Sequence, residues 1–277
     1  MKMKLFSYNF ENTFVHNLSG LTKLICFLFL TFAVMFSYDI RVILSILLFS
    51  LVVFRISKIK FKQVKLMVIY VAIFIFTNAI ISFFFAPEYG VKIYGTKHEI
   101  IAITKSISLT YEQLFFQVTK LFKYASVIPF GIIFLLTTNP SELASALSGV
   151  GVNYKAAYAV ALTLRYFPDI QREYSDISQA QQARGLDLSH KAKFKDRFKN
   201  ALLIMVPLIF STLSRIELIS NAMDLRGFGK GKKRTWYNMR NLNKNDYLAL
   251  GVSVFIFIVS LGVSFFINHS RFYNPFI

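Results

Sequence analysis

The chain is short of acid, of charge in general and of cysteine. Only 17% of its 277 residues are charged, against 55% hydrophobic, where an ordinary soluble domain carries about a quarter charged. That excludes a disordered chain or a water-soluble globule, because too much surface must face something other than water. Cysteine occurs once, as Cys26 in an apolar run, so no intrachain disulfide, thiolate cluster or paired redox motif is possible. Acids number 14 against 32 Lys and Arg, a formal net charge of +18. Such a balance can signal nucleic acid. With a mean hydropathy of +0.50 the membrane explains it first, since Lys and Arg gather on the cytoplasmic segments that orient membrane helices.

Catalytic constellations are equally scarce. A phosphate-binding loop needs Gly-Lys followed by a hydroxyl residue after a strand. The nearest stretch, Gly227 to Thr235, has Lys233 where the hydroxyl should stand and reads as a basic loop beside anionic lipid. His16, His98, His190 and His269 have no metal-ligand spacing and read as surface residues. No serine has a matching His and Asp, so neither a metal site nor a hydrolase is expected.

What is present is a set of long apolar runs. Five are candidates to cross about 30 Å of hydrocarbon: 18–38, 40–56, 66–86, 114–138 and 247–268. Lys23, Lys120 and Lys123 are expected to reach the headgroups with their stems in lipid, and Asn78 to be satisfied by a neighbouring helix. No removable leader is evident before Asn17. Arg55, Lys58, Lys60, Lys62 and Lys65 crowd one short connection without an acid, which places it, and the N-terminus, in the cytoplasm. Residues 87–110 mix lysines with Glu88 and Glu99 and fall outside. The long stretch from Asn139 to Asn245 returns inside, with 17 Lys and Arg against 8 Asp and Glu, and an odd number of spans leaves the C-terminus outside. The expected organisation is all-α: a membrane region 1–138, a cytoplasmic helical domain 139–245, and a last membrane helix with its tail, 246–277.

Within 139–245, Asn139, Pro140 and Glu142 read as a helix start and Gly149 as its stop. The apolar runs 156–164 and 201–213 are too short to span and are expected to be interrupted or kinked at Pro168 and Pro207. The same region holds an internal repeat. Ile177 to Leu186 aligns without gaps on Ile219 to Phe228, with Ile, Ser, Ala, Arg and Gly identical at five of ten positions. In each copy the Gly sits where a helix leaves through a left-handed residue, with Arg in the last turn. One such end is ordinary capping. Two matched ends suggest a partner with two similar acidic or carbonyl-lined pockets.

At these residues the sequence resembles the transmembrane T component of energy-coupling factor (ECF) transporters, the EcfT/CbiQ family, in which two Ala-Arg-Gly motifs end long cytoplasmic coupling helices. Ala183, Arg184 and Gly185 match the first; Leu225, Arg226 and Gly227 match the second, with Leu225 departing from the usual Ala. Thr138 to Pro140, Leu164 to Pro168 and Arg234 with Thr235 extend the likeness over residues 137–246. The resemblance implies two long coupling helices, supported near their ends by Ala180, Gln181, Ala222 and Met223. It also implies a non-catalytic, multi-pass subunit of the bacterial cell membrane that binds no cofactor of its own. That subunit would join two ATPase subunits, which hold the ATP, to a substrate-capturing S component for uptake of a vitamin or metal ion. Expected partners are therefore those proteins and membrane lipid, not nucleic acid. Two rivals are less well served. A self-sufficient permease or channel calls for charged or broken helices at mid-membrane, and an insertase for a cation inside a membrane groove.

Overall fold

The computed structural model describes residues 13–104, 107–186, 194–231, 235–236 and 239–276. The segment before Thr13, His190, and Lys232, Lys233 and Arg234 of the basic loop, on which readings above fall, lie outside them. The chain divides into two compact units, Met1–Asn139 with Arg240–Ile277, and Pro140–Met239. The first unit begins with α1 (Phe14–Asn17), α2 (Gly20–Phe36), α3 (Ile40–Ile56), α4 (Phe61–Phe85), α5 (Tyr89–Tyr94), β1 (Glu99–Thr104), β2 (Ile107–Thr110) and α6 (Tyr111–Thr137). The second holds α7 (Pro140–Gly149), α8 (Tyr154–Ala183) and α9 (Phe194–Leu225). The chain returns to the first unit with α10 (Lys244–Gly262), continued by a π-helical turn, Val263–Ile267.

Local chemistry sets the helix starts. Ser19 Oγ accepts from Thr22 N at 3.1 Å, Asp39 Oδ1 from Arg41 N at 2.9 Å, and Thr110 Oγ1 from Gln113 N at 3.3 Å. Each such cap satisfies a backbone donor that a helix start otherwise leaves orphaned. The Asp246 carboxylate does so for two helices at once, accepting from Asn243 N and from Ser19 N, both at 2.8 Å. It ties the start of α10 to the start of α2. Farther along, Ser260 Oγ donates to Ala33 O at 2.9 Å, so the two helices run parallel. Leu30, Ala33, Val34, Ile46 and Phe130 form the core of this unit, drawn from α2, α3 and α6. In contrast, α4 is apolar all round and exposes Tyr70, Phe74, Phe76 and Phe85, as a helix facing lipid should.

Two lysines expected at the headgroups are instead buried. Lys23 is 5% exposed and Lys123 3%. Lys23 Nζ donates to Thr137 O, at the last residue of α6, at 2.8 Å, and to His16 O at 3.1 Å. Lys123 Nζ, on α6, donates to Met35 O at 2.8 Å and Ser37 O at 3.2 Å, at the end of α2, and lies 3.3 Å from the centre of the Tyr38 ring. Each of two antiparallel helices thus supplies the ammonium that caps the other. The carbonyls at a helix end have no intrahelical donor and carry the negative end of its dipole, so a buried cation gains more there than by reaching water. Lys120 is half-buried. Asn78 Oδ1 is buried with no hydrogen-bond partner among the described residues, rather than satisfied by a neighbour. His16 is buried too, its Nδ1 2.7 Å from Thr13 Oγ1.

Residues 87–110, expected on the outer side of an all-α chain, contain α5 and an antiparallel hairpin pairing Glu99 with Thr110 and Thr104 with Ile107. The C-terminal tail is anchored to the α2–α3 turn. Tyr38 N donates to Arg271 O at 2.8 Å, and Asn268 Nδ2 to Asp39 Oδ2 at 2.9 Å. Burial pushes the Asp39 carboxyl up, but the bonds from Arg41 and Asn268 outweigh it and hold it below the usual carboxylate value.

Among the described residues, four helices are long and apolar enough to cross a membrane: Val64–Phe85, Tyr111–Thr137, Phe198–Leu225 and Lys244–Ile267. With 17 residues each, α2 and α3 reach only about 25 Å. The run 201–213 proves to be part of one continuous 32-residue helix, and 156–164 part of a 30-residue helix, with Pro207 and Pro168 inside them. A proline removes one ladder bond, and a long helix can absorb that as a local bend.

Candidate functional site

The two repeat copies fold into the same structure. At the end of α8, Gly185 has φ +88°; Gly185 N donates to Gln182 O at 2.9 Å and Leu186 N to Gln181 O at 3.1 Å. At the end of α9, Gly227 has φ +69°; Gly227 N donates to Asp224 O at 2.9 Å and Phe228 N to Met223 O at 2.9 Å. This pair of bonds, reaching back five residues and three, around a left-handed glycine is the Schellman termination. A side chain at either glycine would be strained by the backbone itself. In each copy the arginine is the residue just before that glycine, at the point where the chain leaves the helix.

Capping by the arginine side chains is not what these ends use. The backbone and the glycines satisfy the helix ends. Both Arg184 and Arg226 are exposed, and neither guanidinium has a hydrogen-bond or ion-pair partner among the described residues. Ala183, Ala180 and Ala222 are exposed beside them, and Leu225 is 89% exposed. Gln181 and Met223 are half-buried and supply the carbonyls that accept the longer cap bonds. A five-donor planar fork held out on a rigid helix end suits carboxylates and backbone carbonyls of a partner surface. The departure at Leu225 disturbs no packing, since its side chain meets none.

The geometry behind the ends shows three features that residue patterns did not. Glu173 on α8 bonds to Arg215 on α9, with Nη2 to Oε2 at 3.0 Å, and Ser211 Oγ donates to the same carboxylate. Phe228 folds back from Gly227 onto Tyr154 and Tyr158 of α8, with ring centres 5.7 and 4.9 Å away. These contacts run in opposite directions along the two helices, so α8 and α9 are antiparallel. Finally, Asn153 Oδ1 starts α8 by accepting from Lys155 N at 3.0 Å. The charges at positions 173 and 215 are visible in the sequence, but only their separation of 42 residues, which is also the offset of the repeat, could have pointed to the pair. The expected loop Gly227 to Thr235 opens as a turn, with Gly229 at φ +92°. Among the described residues, no cluster of three His, Cys, Asp or Glu could hold a metal.

Comparison with known proteins bears on this arrangement. Residues 11–237 match the CbiQ family, described as cobalt transport protein. An energy-coupling factor transporter transmembrane protein EcfT of Streptococcus equi subsp. equi is 27% identical over 277 aligned residues, covering 96% of each chain. The EcfT of Lactococcus lactis subsp. cremoris is 30% identical over 163 residues, 56% of this chain and 60% of its own. That of Exiguobacterium sibiricum is 30% identical over 136 residues, 46% and 49% respectively.

Proposed function

Because this chain belongs to the CbiQ family and is the transmembrane coupling component of an energy-coupling factor transporter, we propose that Arg184 and Arg226 each dock one ATPase subunit. In this reading the first unit holds a separate substrate-capturing membrane protein. The observation that carries it is the pair of matched helix ends whose arginines are exposed and meet no partner among the described residues. Energy passes from ATP, bound only by the ATPases, through α8 and α9 to the captured cargo, a vitamin or metal ion. The chain itself is a non-catalytic, multi-pass membrane subunit.

The second unit belongs on the cytoplasmic side in this reading, although α9 is long and apolar enough to cross. A single crossing by α9 would leave Arg184 and Arg226 on opposite faces of the membrane. Its partner α8 carries Arg165, Asp169, Arg172, Glu173 and Asp176, which no bilayer core accepts cheaply. The exposed apolar residues of α9, among them Phe210, Leu213 and Leu218, then serve membrane partners or the bilayer surface. With α4 following the basic connection, the N-terminus lies inside and the tail at Asn268–Phe276 outside.

Affinity purification of the tagged chain from its own cells is expected to bring down two ATPases and a small hydrophobic protein, while the isolated chain hydrolyses no ATP. Turnover that survives removal of contaminating ATPases, or capture of ribosomes and nascent chains instead, refutes the assignment. Topology is checked separately in a Cys26→Ser background. An impermeant thiol reagent should label Ser270→Cys in intact cells, and Lys60→Cys or Ser178→Cys only after permeabilisation. Labelling of Ser178→Cys from outside would remove the second unit from the cytoplasm.

A further inference from the structure

The repeat and the ion pair behind it share one number, and that coincidence has a geometric meaning. The offset relating the two motif ends is 42 residues: Arg184 to Arg226 and Gly185 to Gly227. Glu173 and Arg215 are also 42 residues apart, and they touch. In an antiparallel pair of equivalent helices, equivalent positions meet only on the twofold axis that exchanges them. We infer that α8 and α9 form a pseudo-twofold pair of arms with the Glu173–Arg215 ion pair on its axis, and that this pair is the pivot holding the two arginine-bearing ends in fixed opposition.

The distances follow. Eleven residues separate Glu173 from Arg184, and eleven separate Arg215 from Arg226. At 1.5 Å per residue each arm extends about 16 Å beyond the pivot, in opposite directions. Eleven residues is also about three helical turns, which returns each motif arginine to the side of its helix that carries the pivot. The partner surface should therefore present two similar pockets related by a local twofold, as two homologous subunits would.

The chemistry of the pivot suits a positioning role. The Glu173 side chain is 20% exposed and that of Arg215 38%, so the charges are partly shielded from water and from salt. The Ser211 hydroxyl holds the same carboxylate from the neighbouring turn of α9. Two donors on one helix gripping one acid on the other oppose sliding as well as separation. The Phe228 seat on Tyr154 and Tyr158 lies toward the start of α8, whereas the ion pair grips both helices midway along α8.

An axial position makes an unusual demand on mutants. Exchanging the two residues, Glu173→Arg with Arg215→Glu, keeps one charge of each sign on the axis and should preserve the ion pair, without the hydroxyl donor, since the position equivalent to Ser211 is Asp169. Either change alone puts like charges on the axis. This inference rests on the proposed docking of ATPases, so its test has two parts. Spin labels at Ser178→Cys and Ser220→Cys, which are equivalent positions, are measured in the purified full chain without Cys26. The parent should give one narrow distance distribution, each single variant a broadened one, and the exchange a narrow one again. In the reconstituted complex, the single variants should still copurify with both ATPases but move at least about fivefold less cargo per ATP, a coupling change of ordinary size, with recovery in the exchange.

Unchanged distances and unchanged cargo per ATP in both single variants would overturn the pivot. So would an exchange no better than the singles. If the parent brings down no ATPase, the functional reading fails by itself, and the spin-label distances still decide the pivot.

Discussion

Reversing both motif charges, Arg184→Glu with Arg226→Glu, is expected to abolish ATP-dependent uptake and the copurification of both ATPases, while the chain still folds and inserts. The second half of that expectation comes from the structure. Each helix end is closed by backbone bonds around a left-handed glycine, and each arginine side chain points to solvent without a partner among the described residues. Its replacement therefore removes nothing the fold depends on. The first half comes from the interface. Truncating one member of a desolvated charge-assisted contact costs about 2–5 kcal/mol, and a carboxylate set against carboxylates or carbonyls adds repulsion to that loss.

Single Arg→Ala changes should weaken uptake, since the other end still tethers its own ATPase. Arg→Lys should rescue only partly, because an ammonium cannot reproduce the planar fork. Arg172 provides the control. It is a solvent-facing arginine on the same helix, 3.7 Å from Asp169, and such surface pairs contribute about 0–1 kcal/mol, so Arg172→Ala should leave uptake unchanged. The measurement is uptake by the reconstituted complex, with ATPase copurification alongside. A double Glu variant that assembles and transports like the parent reduces the two ends to helix terminations.

The features legible in the sequence were those whose cause is local. Apolar runs announce helices because the hydrophobic period and the caps lie within a few residues of each other. Pro140 and Gly149 bracket α7, and Gly185 and Gly227 mark their ends because only glycine takes a positive φ freely. Contacts over long sequence separations left no such mark. Lys23 and its acceptor Thr137 are 114 residues apart, and Asp246 and Ser19 are 227 apart. A lysine in an apolar run looks the same whether it snorkels or caps a distant helix. The hairpin Glu99–Thr110 was concealed by the alternating polarity that also describes a loop. Continuity of α8 and α9 through Pro168 and Pro207 was concealed for another reason. The sequence shows the lost ladder bond, whereas the flanking turns that carry the helix past it are tertiary.

The reciprocal lysine caps lead to the second large effect. Lys23→Glu or Lys123→Glu is expected to prevent accumulation of a stable chain, because each would bury a carboxylate against helix-end carbonyls. An uncompensated buried charge costs about 3–5 kcal/mol, against a total stability of about 5–15 kcal/mol for a typical protein. Lys123→Met separates charge from packing. It keeps the buried stem and removes only the donor, so Met35 O and Ser37 O lose their partner, at about 1–3 kcal/mol. The order of thermal stability in detergent should therefore be parent, Lys123→Met, Lys123→Glu. The variants should also differ in the tail: the Met35–Tyr38 end of α2 leads directly to the turn where Arg271 and Asn268 are anchored. Loosening of that end should raise the reactivity of a cysteine placed at Ser270. By the same argument, Lys23→Glu should strike the opposite ends, freeing Thr137 and the exit of α6 toward the second unit, and leave Ser270→Cys reactivity unchanged at temperatures where the chain is still folded. A Lys123→Glu chain that melts with the parent would mean that this lysine reaches water after all and that the cap is incidental.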